Sequence, residues 1–236
     1  RPRPDLDDPE LRGIGMTDAP TVRLALANGQ AERNGTAGFE TSRPSRGGSD
    51  DPALLVSFVY LDGFLKRRAS YRYRDWALDS GAFSAHTLGT TIALPQYIDV
   101  CQQFRATDPT LTDIFALDVI GDHRASLRNC EAMWRAGIDA IPCYHVNEPE
   151  DALVEMARTY PKIALGGVAL RKTRHLKFKW AEQCFARVWP KRIHGFGFGS
   201  EAALFLLPWH SVDATSWETR TCAYGLWQSF GTSRRQ

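Results

Sequence analysis

No apolar run in this sequence approaches the roughly 20 residues that a membrane-spanning helix needs. Net charge is nearly absent as well. The 29 Lys and Arg residues stand against 27 Asp and Glu, so bulk polyelectrolyte behaviour is excluded and any nucleic-acid contact must come from local basic patches. Cysteine is scarce and scattered: Cys101, Cys130, Cys143, Cys184 and Cys222 form no C-x-C or C-x-x-C pair. Neither a zinc knuckle nor a disulfide framework is therefore expected, and reduced structural thiols in a cytoplasmic setting are. The N-terminus is polar and rich in Pro and Asp, unlike a secretory signal. No G-x-G-x-x-G follows the first strand-like run, which disfavours a doubly wound dinucleotide-binding sheet.

What is present is an alternation. Residues 1–20 read as a mobile, charged arm in which Met16 is a candidate start, and residues 34–52, rich in Gly, Ser and Arg, read as a long loop or lid. Strand-like apolar runs fall at 21–27, 53–61, 75–81, 113–121, 139–146, 162–169, 192–199 and 209–216. Several are apolar throughout, as strands covered on both faces should be. Segments 124–136, 148–160 and 173–188 carry helical periodicity, and Pro161 stops the second. Eight strands alternating with helices predict an α/β fold, a single-domain (β/α)8 TIM-like barrel over residues 21–236.

In such a barrel the chemistry sits at the C-terminal ends of the strands. Strand three ends in Asp79, followed by the small residues Ser80, Gly81 and Ala82. Strand four runs to Asp118 and then Asp122, strand five to His145 and Asn147, and strand six to Gly166 and Gly167. Strand seven offers Gly195, Gly197 and Gly199, and strand eight Asp213. Each has a plain explanation: a turn or helix cap for an Asp, a hydrogen-bonded core position for His145, tight packing for Gly166 and Gly167. Three carboxylates on one rim, however, repel and raise one another's pKa, an arrangement that usually has a use. Glycines admit a flat ring, on which Phe83 or Phe196 can stack, although core packing is the stronger expectation for both phenylalanines.

Taken in order, "LDSGAFSA", "ALDVIGD", "IALGGVA", "HGFGFGS" and "SVDATSW" resemble the guanine transglycosylase superfamily, and more closely its short phage-type branch of 7-deazaguanine DNA transglycosylases. The resemblance runs from about Val22 to Trp217. It implies base exchange at an N-glycosidic bond, with Asp213 as the nucleophile at C1′ and Asp79 as general acid/base. Asp118 would read the base edge, and Gly166 and Gly167 would meet its exocyclic oxygen. His145 falls about where the family has a base-binding glutamine, and Ser80 and Phe83 would line the base site. No cofactor and no metal is implied. The zinc subdomain of the tRNA enzymes has no counterpart in this sequence, which favours DNA over tRNA as the polymer.

The implied partners are duplex DNA with a flipped guanine, a free 7-deazaguanine base, and a second copy of the chain or a partner protein. Arg171, Lys172, Arg174 and Lys177, after strand six, and Arg220, after Asp213, are the expected phosphate contacts. Removing Lys172 and Arg174 together is expected to flatten the salt dependence of binding. A second basic segment, 66–74, is interleaved with aromatics. Readings of other classes are a tRNA enzyme, an inactive nucleic-acid-binding barrel and a glycosidase-like hydrolase.

Overall fold

A computed structural model of the chain describes residues 20–25, 51–71, 73–168, 174–199, 204 and 206–214. Its eight strands are all parallel and alternate with helices, and the sheet curls into a TIM-like half-barrel. The strands are β1 (Thr21–Ala25), β2 (Ala53–Ser57), β3 (Trp76–Asp79), β4 (Leu111–Ile114), β5 (Cys143–His145), β6 (Lys162–Gly166), β7 (Arg192–Gly195) and β8 (Ser211–Ala214). The helices are α1 (Leu61–Arg67), α2 (Ala82–Thr87), α3 (Leu94–Thr107), α4 (His123–Arg135), α5 (Glu150–Thr159) and α6 (Arg174–Val188). Neighbours run β4-β3-β2-β1-β8-β7-β6-β5. The two outer strands also meet: Phe115 bridges Ile141 in parallel, the Ala116 amide donates to the Ile141 carbonyl at 2.9 Å, and the Ile141 amide donates to the Ile114 carbonyl at 2.8 Å. No described helix is long and apolar enough to cross a membrane.

The eight expected strands are all present, and β2 to β7 are shorter than their apolar runs. The run 53–61 leaves the sheet at Ser57, where a 3-10 turn (Phe58–Tyr60) leads into α1 and carries Leu61 and Phe64 into the outer core. The run 113–121 begins two residues earlier, at Leu111, and ends at Ile114, so Asp118 sits in the loop beyond β4 and not on the strand itself. Asp122 caps α4 by accepting the Ala125 amide at 2.9 Å, as its plain reading expects. Helix α5 starts at Glu150, which leaves Glu148 outside it. The expected arm, 1–20, is described only at its last residue, and the expected loop, 34–52, only at Asp51 and Pro52.

Strand alternation sorts the side chains into two layers. Leu54, Val56, Trp76, Leu78, Ile163, Leu165, Ile193 and Val212 face the helices in the larger core. Ala25, Leu55, Ala77, Phe115, Ile141, Cys143 and Ala164 face inward and form a smaller one. The alanines leave the interior room for larger polar groups. Arg23, two residues before Ala25, reaches inward at the N-terminal end of the sheet. Its Nη1 donates to Asp75 Oδ1 at 2.6 Å and its Nη2 to Asp113 Oδ2 at 2.9 Å. Lys162 Nζ meets Asp113 Oδ1 at 2.6 Å. Above this floor, Phe115, His194 and Phe196 pack ring against ring at 4.6 to 4.7 Å between centroids.

Candidate active site

The same alternation sends Asp79 inward, two residues beyond Ala77, and Asp213 inward, because it pairs in register with Arg23. Both lie toward the C-terminal ends of their strands, above the ring layer. Asp79 accepts from the Gly81 amide at 3.1 Å. Gly81 takes a left-handed φ of 73°, and a Cβ there would stand 2.7 Å from Ser57 Oγ, so the turn that returns this amide to the carboxylate requires glycine. Asp213 Oδ1 accepts from the Gly197 amide at 3.1 Å, again from a glycine at positive φ.

Electrostatics join the three acids. Burial, then the Asp213 charge, then the Asp118 charge push the Asp79 carboxyl up from 3.8 to about 7. Burial also raises Asp118, against the opposing pull of His145. Carboxylates distant in sequence thus act on one another at one end of the sheet, as strand counting leads one to expect.

His145 is gripped from two sides. Its Nε2 lies 3.2 Å from Asp118 Oδ2 and its Nδ1 lies 3.0 Å from Glu148 Oε1, while its backbone amide donates to Glu148 Oε2 at 3.0 Å. Asn147, at φ 79°, makes the turn that brings Glu148 back. The adjoining Cys143 sulfur and the hydrogen bonds to Asp118 and Glu148 outweigh burial and push the imidazole up. Asp118 keeps one oxygen, Oδ1, buried and without a hydrogen-bond partner. Glu148 was not among the sequence candidates. Its signal is the H-x-x-E spacing, which reads as the start of a helix until the turn at Asn147 is known.

His194 is the second residue missed. It is fully buried, with Nδ1 2.9 Å from Ser211 Oγ and Nε2 3.4 Å from Asp213 Oδ1. Burial lowers its pKa and keeps it neutral beneath Asp213. In sequence it is hidden within a strand otherwise read for its glycines.

The remaining candidates divide. Ser80 is buried directly after Asp79. Phe83, on the first turn of α2, is 50% exposed, which overturns the core-packing expectation and leaves its ring free at the rim. Phe196 does pack in the interior. Gly166 and Gly167 border His145: a Cβ on Gly166 would stand 2.7 Å from Cys143 Sγ, and one on Gly167 3.3 Å from His145 Cβ. The close packing at both glycines is against β5 and the residue after it, not against a helix. Lys177 is half-buried on α6, the helix that follows β6, and Arg174 begins that helix. Arg171, Lys172 and Arg220 lie outside the described residues.

In the basic segment 66–74, two guanidinium groups have partners within the fold. The segment leads from α1 to the start of β3, at the rim opposite Asp79. Arg68 pairs with Asp108, donates to Tyr73 Oη at 2.6 Å and lies 5.7 Å from the Trp76 ring centroid; Arg74 meets Asp75 at 2.7 Å. These guanidinium groups hold the fold together on the face away from the acids.

Among the described residues, one group could hold a metal ion: Asp118, Cys143 and His145, whose donor atoms lie within 4.8 Å of one another. Comparison with family models and with curated proteins gives no match to this chain.

Proposed function

We propose that this chain is a DNA guanine transglycosylase, a pentosyltransferase that replaces guanine in DNA with a 7-deazaguanine base. The observation that carries the reading is the meeting of Asp79, Asp118 and Asp213 at one end of the sheet, with Asp79 held at about 7 by the other two and by burial. In this reading the half-barrel is a (β/α)8 barrel of transglycosylase type, sealed along the Phe115–Ile141 seam and lacking the zinc subdomain of the tRNA enzymes.

The steps follow from the groups. Asp213 attacks C1′ of a flipped deoxyguanosine, and the electrons of the C1′–N9 bond pass to the purine. A protonated Asp79 delivers its proton to the departing guanine, as a carboxyl near 7 does well at neutral pH. The sugar is left as an ester on Asp213. The 7-deazaguanine then enters, Asp79 takes the proton from its N9, and N9 attacks C1′ and releases Asp213. Asp118 Oδ1, buried and unpartnered, is an acceptor suited to the N–H edge of a guanine-like ring, and Phe83 is free to stack on it. Neutral His194 supports Asp213 from below.

Phosphate contacts would come from Lys177 and Arg174 together with Arg171, Lys172 and Arg220, and a second copy or a partner protein would supply more. The test is nucleoside mass spectrometry of duplex DNA and of tRNA incubated with the protein and candidate deazapurines. Deazapurine in DNA alone supports the proposal, and incorporation into tRNA shifts the polymer. Guanine release without incorporation indicates a hydrolase, and binding without either indicates an inactive barrel.

A further inference from the structure

Among the described residues, Cys143 is the one thiol that faces the acid-lined end of the sheet. Cys101, Cys130 and Cys184 are buried in the outer core, whereas Cys143 belongs to the inward layer, two residues before His145 on β5. Residues two apart on a strand share a face, so sulfur and imidazole point to the same space. The loop after β4 brings Asp118 to meet them, and the three donor atoms fall within 4.8 Å of one another.

Three further features prepare this spot for an ion. Glu148 holds His145 Nδ1 at 3.0 Å, the carboxylate–histidine arrangement that fixes a ligating imidazole and leaves Nε2 to the metal. Gly166, on the neighbouring strand, keeps the gap clear. A Cβ there would lie 2.7 Å from Cys143 Sγ and 3.4 Å from His145 Nε2, between the two donors. Asp118 Oδ1 is buried with no hydrogen-bond partner and is the acceptor left over.

We propose that Cys143 Sγ, His145 Nε2 and an Asp118 carboxylate oxygen bind one divalent ion of the zinc class. A thiolate, an imidazole and a carboxylate suit zinc or cobalt and not magnesium or calcium, which favour all-oxygen sites. Three protein donors leave a fourth position open for water or a ligand. On binding, the thiol gives up its proton, and the proton between Nε2 and Asp118 leaves the site. The ion then occupies Asp118. If base exchange is this site's function, metal and purine exclude one another there, so zinc inhibits and a chelator restores exchange. The metal site itself does not depend on that reading.

The test uses cobalt(II) as the probe on the full, metal-free chain near neutral pH, with neither DNA nor base present. One cobalt per chain, with a thiolate-to-cobalt charge-transfer band and visible bands of tetrahedral geometry, displaced by zinc, is the expected result. Cys143→Ser should remove the charge-transfer band, and Glu148→Gln should weaken binding by about 10–100-fold. Gly166→Ala, which fills the gap without removing a donor, should weaken it too. Cys184→Ser is the control that leaves the spectrum unchanged, and circular dichroism checks that each variant folds. A missing charge-transfer band in the wild type, or one that survives in a folded Cys143→Ser or vanishes in Cys184→Ser, overturns the site. A chain that exchanges bases but binds no cobalt refutes this inference alone, and one that binds cobalt but exchanges nothing refutes only the enzymatic reading.

Discussion

At the N-terminal end of the sheet, Asp75 and Asp113 are clamped by Arg23, Arg74 and Lys162. At the opposite end, Asp79, Asp118 and Asp213 meet, with His145 beside Asp118 and neutral His194 beneath Asp213. Burial raises the carboxyls at both ends, but with opposite outcomes. Below, the Lys162 and Arg23 charges outweigh it for Asp113, and the Arg74 hydrogen bond with the Arg23 charge outweighs it for Asp75, so both carboxyls lie below their usual value. Above, like charges add to burial, and Asp79 reaches about 7. The difference is one of partners, not of residue type. A floor of compensated ions fixes the strands, and at the rim burial and like charges hold the Asp79 carboxyl at about 7.

The largest expected effect breaks the upper end. Asp213→Asn should reduce base exchange by at least about 10⁴-fold, as loss of a nucleophile does, while DNA binding persists. Single-turnover release of labelled guanine measures it. The same change should bring the Asp79 carboxyl down, which NMR titration of the aspartate side chains would read.

Breaking the floor should act on stability. Arg23→Leu leaves Asp75 and Asp113 with fewer counter-charges, and stripping one partner from a buried pair typically destabilises by about 3–5 kcal/mol. Urea unfolding checks this. A loss under about 1 kcal/mol would mean that Arg74 and Lys162 suffice to hold the two acids.

The pH profile sharpens the contrast. Asp79 has a raised folded value, so the folded state holds its proton more tightly than the unfolded chain does. Stability should therefore fall as pH rises from the ordinary 3.8 through about 7, by up to about 4 kcal/mol from this group alone. Asp118 shifts in the same direction. Asp75 and Asp113, with depressed values, act in the opposite sense: their contribution is full above the ordinary carboxylate value and is lost on acidification. Asp79→Asn should flatten the decline between about pH 4 and 7 and stabilise the protein above it, as thermal melts across that range would reveal.

The smallest effect belongs to the outside of the molecule. Lys177→Gln should weaken duplex binding by about two- to threefold and lower the salt slope by less than about 1, the share of a single phosphate contact. Fluorescence anisotropy at several salt concentrations measures both.

The sequence carried the eight-strand alternation and the inward carboxylates because both follow from short-range pattern: apolar runs, and an acid at or near the end of three of them. It carried less wherever a turn or a distant partner decides. Glu148 reads as helix until Asn147 turns the chain back onto His145. Arg68 and Arg74 read only as part of a basic, aromatic-interleaved segment until Asp108 and the adjoining Asp75 are seen to pair with them. Arg23 and His194 lie within short strands whose interior role depends on alanines on other strands leaving room for them. Phe83 reads as core, yet the short helix α2 presents it outward.

The most direct test of the central claim, that the upper acids perform base exchange through an Asp213 ester, is to trap that ester. The protein is incubated with guanine-containing duplex DNA without an acceptor base, quenched under denaturing conditions and analysed by peptide mass spectrometry. The account predicts a deoxyribose-linked adduct on Asp213, chased away by added 7-deazaguanine and missing in Asp213→Asn. An adduct on another residue, or guanine leaving the DNA with an equal yield in Asp213→Asn, would contradict it.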